Sequence, residues 1–412
     1  MLKAIKIKGL FGSFDYDIKL KDEGITILTG PNGYGKSTIL KAVYALASRN
    51  PFFFIDLYFS EMLLEFNDRL PVKIFKKNQD VEIVDGDNEP VVLNFDRITD
   101  ELEQNLKNSN YKRIGGDRWI DRRTDRIIDT EMLVSRIGSE ECALRDIFPD
   151  VPDVYLITDQ RLFRKTSGDG RLILSNENQD VDHFKEAIWE YVKDLGNQIT
   201  NTLAEATKVS QGLDSSFPKR LFSQKHGVDK EEFDRRFNRI KRVQSSLNRY
   251  GLAVSVVDDE PVYSEENAKA LKVYLDDTEK KLKVFEPLLM RLELLTEILN
   301  KRGFVNKEAV IKGQKGLCFK TKEGRSLKLK RLSSGEQQEV VMIYELLFNV
   351  KPDTLVMVDE PEISLHVAWQ KQFIEDLLRI ASMQRINVIV ATHSPQIINN
   401  RWDLTIDLED IS

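Results

Sequence analysis

A glycine-rich stretch near the amino terminus constrains this chain more than any other feature. Residues 30–38 read Gly-Pro-Asn-Gly-Tyr-Gly-Lys-Ser-Thr, after the apolar run Ile25–Leu28 and before a helical pattern over Ile39–Ala47. Between a strand and a helix, such a motif surrounds a phosphate with backbone N–H groups and with the positive end of the helix dipole. The alternative, a glycine turn before an ordinary helix, fits the complete motif poorly. We therefore predict a nucleoside triphosphate site.

The side chains of this stretch have distinct expected roles. Lys36 is expected to reach the β- and γ-phosphates, and Ser37 is expected to offer its hydroxyl to Mg²⁺. ATP and Mg²⁺ are therefore the predicted cofactors. The predicted nucleotide-binding residues in this stretch are Asn32, Gly33, Gly35, Lys36, Ser37 and Thr38.

Composition limits the remaining classes of function. With 412 residues, 41% of them hydrophobic, the chain is long enough for two or three domains. A net charge of −6 gives no overall preference for nucleic acid, so such a contact would need a local basic patch. The two cysteines, Cys142 and Cys318, show no metal-ligand spacing. No apolar run approaches about 18 residues, and the first residues are too charged for a signal peptide. We expect a cytoplasmic protein without membrane contact.

An acidic pair follows another apolar strand pattern. Thr354–Val358 is predicted to be a buried parallel strand, and Asp359 and Glu360 follow it, where an α/β sheet binds its ligand. Asp359 would hold Mg²⁺ opposite Ser37, and Glu360 would orient and deprotonate the attacking water. An apolar strand followed by Asp-Glu is common by itself. Downstream of a complete phosphate-binding loop, it predicts a hydrolytic site.

A short motif between these two sites carries a family resemblance. Residues 332–336 read Leu-Ser-Ser-Gly-Glu, which resembles the Leu-Ser-Gly-Gly-Gln/Glu signature of the ATP-binding-cassette (ABC) ATPases, with Ser334 in place of the first glycine. The resemblance implies that Ser333, Ser334 and Gly335 of one subunit contact the γ-phosphate held by the partner subunit. A helix N-terminus that points at the phosphate would supply the attraction. The resemblance therefore implies a head-to-tail dimer that closes on two ATP molecules.

Further site residues follow from the same resemblance. Gln160 resembles the Q-loop glutamine, which coordinates Mg²⁺ and the attacking water; an exposed loop glutamine is the alternative. His393 resembles the switch histidine that hydrogen-bonds to the γ-phosphate; a capping histidine is the alternative. Ser364 falls at the position of the D-loop, which crosses the dimer interface in that family.

The order of the motifs narrows the resemblance. The phosphate loop and the Q-loop precede a helical segment, and the signature, the acidic pair and the histidine follow it, as in SMC-type ATPases with a shortened arm. The motifs are more similar still to those of OLD-related bacterial ATPases, which include the ATPase subunits of the PARIS and Septu/retron anti-phage systems. The matching stretches are residues 157–162 (Ile-Thr-Asp-Gln-Arg-Leu), 332–337 (Leu-Ser-Ser-Gly-Glu-Gln), 359–366 (Asp-Glu-Pro-Glu-Ile-Ser-Leu-His) and 391–396 (Ala-Thr-His-Ser-Pro-Gln).

The expected fold is α/β: an ABC-type ATPase head, which is a mixed sheet with a phosphate-loop core, with a short antiparallel helical coiled-coil arm inserted. The predicted divisions are residues 1–165 and 302–412 for the two parts of the head and 166–301 for the arm. Within the arm, the helical patterns predict a break at Phe217-Pro218. They also predict a helix over residues 266–299 that is kinked at Pro287 and paired with residues 229–250.

The segment 98–147 is predicted to be mostly helical and is rich in charge. Its basic side chains are Lys112, Arg113, Arg118, Arg122, Arg123 and Arg126, and the acidic residues among them are Asp117, Asp121 and Asp125. Two interpretations stay open for this run: contact with an anion or nucleic acid, and a solvated helical face.

Three hypotheses for function remain. The resemblance implies a regulatory ATPase that controls a separate effector protein, a nuclease, in bacterial anti-phage defence, with an acidic phage protein or nucleic acid as trigger. The first alternative is an SMC-like DNA-repair or recombination ATPase that clamps DNA, for which salt-dependent DNA binding would be the mark. The second is the energy subunit of a transporter, against which the long arm argues. We favour the first because the sequence carries no further metal-nuclease motif.

Overall fold

The computed structural model divides the chain into two compact units, a first unit of Met1–Gln179 with Val350–Ser412 and a second unit of Asp180–Asn349. The structure describes residues 1–78, 80–107, 109–130, 132–134, 148–149, 151–157, 163–165, 180–252, 261–301, 304, 306–365 and 367–412.

The strands are numbered in chain order. They are β1 (Leu2–Leu10), β2 (Phe14–Lys19), β3 (Ile25–Thr29), β4 (Glu61–Phe66), β5 (Val72–Lys77), β6 (Asp80–Asp85), β7 (Val91–Leu93), β8 (Tyr111–Gly115), β9 (Arg118–Asp121), β10 (Arg126–Asp129), β11 (Val154–Ile157), β12 (Phe163–Lys165), β13 (Lys307–Ile311), β14 (Leu317–Thr321), β15 (Ser326–Leu327), β16 (Leu355–Asp359), β17 (Asn387–Ala391) and β18 (Thr405–Asp407).

The α-helices are numbered in the same way. They are α1 (Lys36–Ala47), α2 (Pro51–Asp56), α3 (Phe95–Asn105), α4 (Asp180–Ser223), α5 (Lys230–Arg249), α6 (Ala268–Lys283), α7 (Glu286–Lys301), α8 (Ser334–Tyr344), α9 (Pro361–Ser364), α10 (Val367–Gln370), α11 (Phe373–Gln384) and α12 (Pro395–Ile398).

A mostly parallel sheet carries the predicted site of the first unit. Its strand order is β12-β11-β16-β17-β3-β18, and β12 alone among these strands runs antiparallel to its neighbour. Every residue of β3 and β16 is buried, a pattern typical of parallel strands that are covered on both faces. The carboxyl ends of β3, β16 and β17 therefore meet at one edge of this sheet.

An antiparallel sheet in the same unit shares its core with helix α1. This sheet has the order β2-β1-β4-β5-β6-β7. Ile5 of β1, Leu40 of α1 and Met357 of β16 belong to one cluster of buried residues. Helix α1 is thus fixed by apolar contacts with both sheets, which holds its first turn in place.

The prediction of a mostly helical segment over residues 98–147 is wrong for residues 111–129. After α3, strands β8, β9 and β10 form a three-stranded antiparallel sheet. Opposite charges face each other across β9 and β10, since Asp121 pairs with Arg126 and Arg118 pairs with Asp129. Cross-strand pairs of opposite charge stabilise a sheet, just as pairs of opposite charge on neighbouring turns stabilise a helix. The alternating charges of residues 118–129 therefore belong to paired strands and not to one face of a helix.

In the second unit, the predicted break at Phe217-Pro218 is wrong, since α4 continues through Pro218 to Ser223. A proline inside a helix removes one backbone hydrogen bond. The last turn is held from outside by Arg220, which donates to the carbonyl oxygen of Leu213 and forms an ion pair with Asp277 of α6. These contacts explain why the helix does not end at the proline.

The long helix predicted over residues 266–299 is two helices, α6 and α7, separated by a turn at residues 284–285. Pro287 lies in the first turn of α7, where the missing N–H leaves no helical hydrogen bond unmade. The proline therefore belongs to the start of a helix and does not kink one. Helix α6 contacts both α4 and α5, so the predicted contact with residues 229–250 is present.

The carboxyl-terminal part of the second unit joins a small sheet to helix α8. Strands β13, β14 and β15 pair in that order. The side chain of Asn300 on α7 exchanges hydrogen bonds of 2.7 and 3.0 Å with the backbone of Ala309 on β13, and Tyr344 of α8 donates to Asp194 of α4 at 2.6 Å. The described residues between 304 and 349 thus pack with the helices of the second unit.

The predicted fold class, α/β with a helical insertion, is confirmed. The sheets that carry the predicted phosphate loop and acidic pair belong to the first unit, and α4–α7 are inserted between their two sequence segments. Within the part of the chain that the structure describes, none of the helices is both long enough and apolar enough to span a bilayer.

Candidate functional site

The predicted phosphate-binding loop connects the end of β3 to the start of α1. Gly30, Gly33 and Gly35 have φ angles of 133°, 91° and 85°, which only glycine adopts without strain. A Cβ atom at Gly35 would lie 2.8 Å from Cδ2 of Leu10, too close for any side chain. Gly33 has open space on its Cα face. The loop is therefore closed on the side of β1 and open where a ligand would approach.

Helix α1 begins without the side-chain cap that most helices carry. Gly35 is its N-cap residue, no side chain of the described residues caps the first N–H groups, and the first turn has no acidic residue. Unsatisfied N–H groups at a helix N-terminus carry about half a positive charge. The residues predicted to bind nucleotide, 32–38, surround this terminus, so their arrangement fits a phosphate group.

Lys36 is buried at the base of the loop, with 5% of its surface exposed. Its Nζ donates to the carbonyl oxygens of Gly30 at 2.8 Å and Pro31 at 3.2 Å. These two bonds hold the ammonium group beneath the loop, and the third N–H direction stays available for a phosphate oxygen.

The two predicted Mg²⁺ ligands outside the Q-loop are in contact. Ser37 Oγ donates to Asp359 Oδ1 at 2.8 Å, although the two residues are 322 positions apart in the chain. Asp359 ends β16 and is 5% exposed. A hydroxyl and a carboxylate are hard oxygen donors of the kind Mg²⁺ prefers, and Mg²⁺ typically takes one or two protein ligands beside phosphate oxygens. Ser37 and Asp359 therefore fit the predicted ion.

Glu360 and His393 also meet at this edge of the sheet. Glu360 adopts a left-handed conformation with φ 46° and ψ 55°, and its N–H donates to the carbonyl oxygen of Ala391 at 2.9 Å. A non-glycine residue in this conformation stores backbone strain, which is common at functional sites. The turn directs the side chain toward His393, whose Nδ1 lies 2.8 Å from Glu360 Oε2.

Glu362 is part of the same group, although we did not predict it as a site residue. Its Oε1 accepts from Thr392 Oγ1 at 2.6 Å and from the N–H of His393 at 3.2 Å. Ligand atoms of Glu360, Glu362 and His393 all lie within 4.8 Å of one another, a spacing that also suits a divalent cation. The sequence places Glu362 two positions after Glu360, but nothing in it indicates a contact with residues 392 and 393.

The environment of Glu360 suits a proton acceptor. Burial raises the pKa of the Glu360 carboxyl, and hydrogen bonding and repulsion from Glu362 raise it further, to about 7. His393 and Lys36 act in the opposite direction. A carboxyl whose pKa lies near neutrality is an efficient general base, because a carboxylate at its ordinary pKa holds a proton too weakly.

The remaining predicted residues are Gln160, Ser333, Ser334 and Gly335. Gln160 lies outside the described residues. Ser333 is the exposed N-cap of α8 in the second unit, where its Oγ accepts from the N–H of Glu336 at 3.3 Å and its own N–H donates to Glu336 Oε2 at 2.6 Å. The side chain of Ser334 is outside the description as well. No atom of the described residues lies within 4 Å of the position that a Cβ of Gly335 would take, so among those residues the first turn of α8 is open there.

Solved structures that resemble this one include SMC head domains. The Smc head domain with an extended coiled coil, bound to the C-terminal domain of ScpA and derived from Pyrococcus furiosus, has 16% identity and a TM-score of 0.39, and the alignment covers 96% of this chain and 90% of that chain. The SMC head domain from Thermotoga maritima has 13% identity and a TM-score of 0.36, with 98% and 94% covered.

Sequence comparison identifies the family. Over 52 residues the chain is 44% identical to a protein of Archaeoglobus fulgidus named probable branched-chain amino acid transport ATP-binding protein LivF; this stretch is 12% of the present chain and 22% of that protein. A family model described as AAA ATPase domain matches residues 1–398. The chain therefore belongs to the AAA ATPase domain family.

Proposed function

We propose that this protein is an ABC/SMC-type ATPase that hydrolyses ATP with Mg²⁺ at the edge of the parallel sheet. The contact between Ser37 and Asp359, with Glu360 directly beside it, carries the proposal. Those residues end or follow two strands of one sheet, β3 and β16, where an α/β fold binds its ligand. Family membership supports the nucleotide, because the matching model is that of an ATPase domain.

Each residue at this edge has a role in the proposed reaction. The loop N–H groups and Lys36 bind the β- and γ-phosphates, and Ser37 and Asp359 hold the metal ion. Bound Mg²⁺ would neutralise charge that develops on the phosphate oxygens. Glu360 accepts the proton of the attacking water, and His393 donates to the γ-phosphate from the side of β17. Gln160 keeps its proposed role as a ligand of Mg²⁺ and of the water.

The proposed site is completed by a second copy of the chain. Ser333, Ser334 and Gly335 of one subunit would contact the γ-phosphate held by the other, in a head-to-tail dimer with two ATP molecules. Support comes from the open first turn of α8 at Gly335 and from the exposed position of Ser333. The helix dipole and the free N–H groups at a helix N-terminus attract an anion even without a cationic side chain.

We further propose that nucleotide state controls a separate effector protein, a nuclease, in anti-phage defence in the cytoplasm. The resemblance of residues 157–162, 359–366 and 391–396 to OLD-related ATPases supports this proposal. Among the described residues, the carboxylate and imidazole cluster that could hold a metal lies inside the ATP site. The trigger would be an acidic phage protein or nucleic acid, with the basic side chains of β8–β10 as a candidate contact.

The variant Glu360→Gln tests the activity. It should bind ATP and Mg²⁺ as the parent does and should hydrolyse ATP at least about 100-fold more slowly, because only the proton acceptor is lost. Turnover is measured by phosphate release and binding by calorimetry. The matched control is Glu375→Gln, which alters an exposed carboxylate on α11 that contacts Arg401. Parent-like turnover in Glu360→Gln would exclude Glu360 as the base.

The same variant tests the control of an effector. Tagged Glu360→Gln protein, expressed together with the neighbouring genes of its operon, should retain a second protein that mass spectrometry identifies as a nuclease. The reason is that the variant binds ATP without hydrolysing it and therefore stays in the ATP-bound state. Binding of duplex DNA by the purified chain alone, weakened steeply by salt, would favour the DNA-clamping alternative instead.

A further inference from the structure

The Glu362 carboxylate connects the loop that follows β16 to the loop that follows β17. Its Oε1 accepts the Thr392 hydroxyl at 2.6 Å and the His393 N–H at 3.2 Å. One oxygen thus binds two successive residues of the other loop. Glu362 is largely buried, with 11% of its side chain exposed, so water competes little for these bonds.

Thr392 gives this connection a rigid base. It is fully buried, and its N–H donates to the carbonyl oxygen of Leu28 on β3 at 3.1 Å. Its hydroxyl also accepts from the N–H of Ser394 at 3.0 Å, which closes a local turn around His393. The loop that carries the imidazole is therefore held between the strand before the phosphate loop and the Glu362 carboxylate.

His393 itself has little other support. Its side chain is 54% exposed, and its Nδ1 faces Glu360 Oε2 at 2.8 Å and Glu362 Oε1 at 3.5 Å. An exposed side chain would otherwise sample several rotamers. Both carboxylates face the same nitrogen, which leaves Nε2 on the opposite side of the ring.

We propose that Glu362 is a positioning residue that fixes His393 against Glu360 and keeps Nε2 of the imidazole directed away from the carboxylates. Glu362 acts through the loop and the imidazole and does not touch the nucleotide. This inference rests on the proposed ATPase function, in which His393 donates to the γ-phosphate. Misplacement of a reacting group by about 1 Å can cost about 100-fold in rate.

Two substitutions at this position separate hydrogen bonding from bulk. Glu362→Ala removes the acceptor and should lower kcat about 10- to 100-fold, with the dissociation constant for ATP unchanged. Glu362→Gln keeps an oxygen that can accept both bonds and should retain most of the activity. Equal losses in the two variants would overturn the proposal. Glu375→Ala, which changes an exposed carboxylate on α11, is the matched control.

A double-mutant cycle shows whether Glu362 acts through His393. In a His393→Ala background, Glu362→Ala should cause no further loss of kcat, since the group it positions is gone. A full additional loss in that background would show a general structural role and overturn the proposal. Thr392→Val removes one of the two groups that donate to Glu362 and keeps Glu362 itself. This variant replaces Glu362→Ala in the cycle if Glu362→Ala does not fold. It should lower kcat in the parent background and not in the His393→Ala background, and parent-like kcat would contradict the inference.

These outcomes are distinct from failure of the proposed function. If the parent protein releases no phosphate from ATP, or if Glu360→Gln is as active as the parent, the ATPase assignment fails. If the parent is active, Glu360→Gln is inactive and Glu362→Ala is unaffected, only the positioning role fails.

Discussion

Lys36 shows how one side chain depends on the loop around it. An isolated ammonium group buried to this extent would be costly, since burial disfavours the charged form. Here the group donates to two carbonyl oxygens of its own loop, at Gly30 and Pro31. Gly30, Gly33 and Gly35 of the same loop adopt positive φ angles, so the backbone conformation that presents these carbonyls depends on glycine.

Lys36→Ala should weaken ATP binding by roughly 10- to 100-fold, since a charged hydrogen bond to phosphate contributes about 1.5–3 kcal/mol. Calorimetry with ATP and Mg²⁺ measures this loss. Lys41→Ala is the matched control, because Lys41 is an exposed lysine on the same helix α1. Nucleotide affinity equal to that of the parent would exclude the predicted phosphate loop.

Helix α8 is the element whose first turn would contact a partner's nucleotide. Glu336 holds that turn by accepting the Ser333 N–H, and Lys307 of β13 contacts the same carboxylate at 2.6 and 2.8 Å. The Lys307 and Glu336 side chains are only 21% and 13% exposed. The small sheet therefore fixes the start of the signature helix by a half-buried ion pair.

Lys307→Met should lower the free energy of unfolding by about 1–3 kcal/mol, because it leaves the Glu336 carboxylate buried without its cation. The loss should be largely restored in Lys307→Met with Glu336→Gln, since a neutral amide can still accept the Ser333 N–H. Lys320→Met, which breaks the more exposed pair with Glu308 on the adjacent strand, should cost less than about 1 kcal/mol. Urea unfolding measures all three; equal costs for the two lysines would contradict the assigned importance of the Lys307 pair.

At the scale of the whole molecule, the proposed composite site can be tested by mixing inactive variants. Ser333→Arg should bind ATP but not hydrolyse it, because the larger side chain would occupy the partner's γ-phosphate position. Mixed with Lys36→Ala, it should regain roughly a quarter of the parent turnover, since random pairing gives half mixed dimers with one intact site each. ATP hydrolysis is measured across mixing ratios, with each variant alone as control. Absence of any regain would argue against sites shared between subunits.

Sequence alone determined the features that are encoded in contiguous residues. The phosphate loop needs its glycines and lysine at fixed spacing between a strand and a helix, and β16 is recognisable as an uninterrupted apolar run that ends in Asp359. Motif order also placed a helical insertion between the two parts of the head. Each of these signals is local, since a few neighbouring side chains specify backbone conformation and burial.

Tertiary structure decided whatever depends on residues far apart in the chain. The alternating charges of residues 111–129 are compatible with a helix and with a strand. Only the pairing of Asp121 with Arg126 and of Asp129 with Arg118 across two strands distinguishes the two structures. Helix α4 continues beyond Pro218 because Arg220 forms an ion pair with Asp277 on another helix. Glu362 becomes a site residue because β16 and β17 are adjacent in the sheet, which brings Thr392 within 2.6 Å. Long-range contacts of this kind outweigh local preferences, since burial and pairing contribute more free energy than the conformational propensity of a single residue.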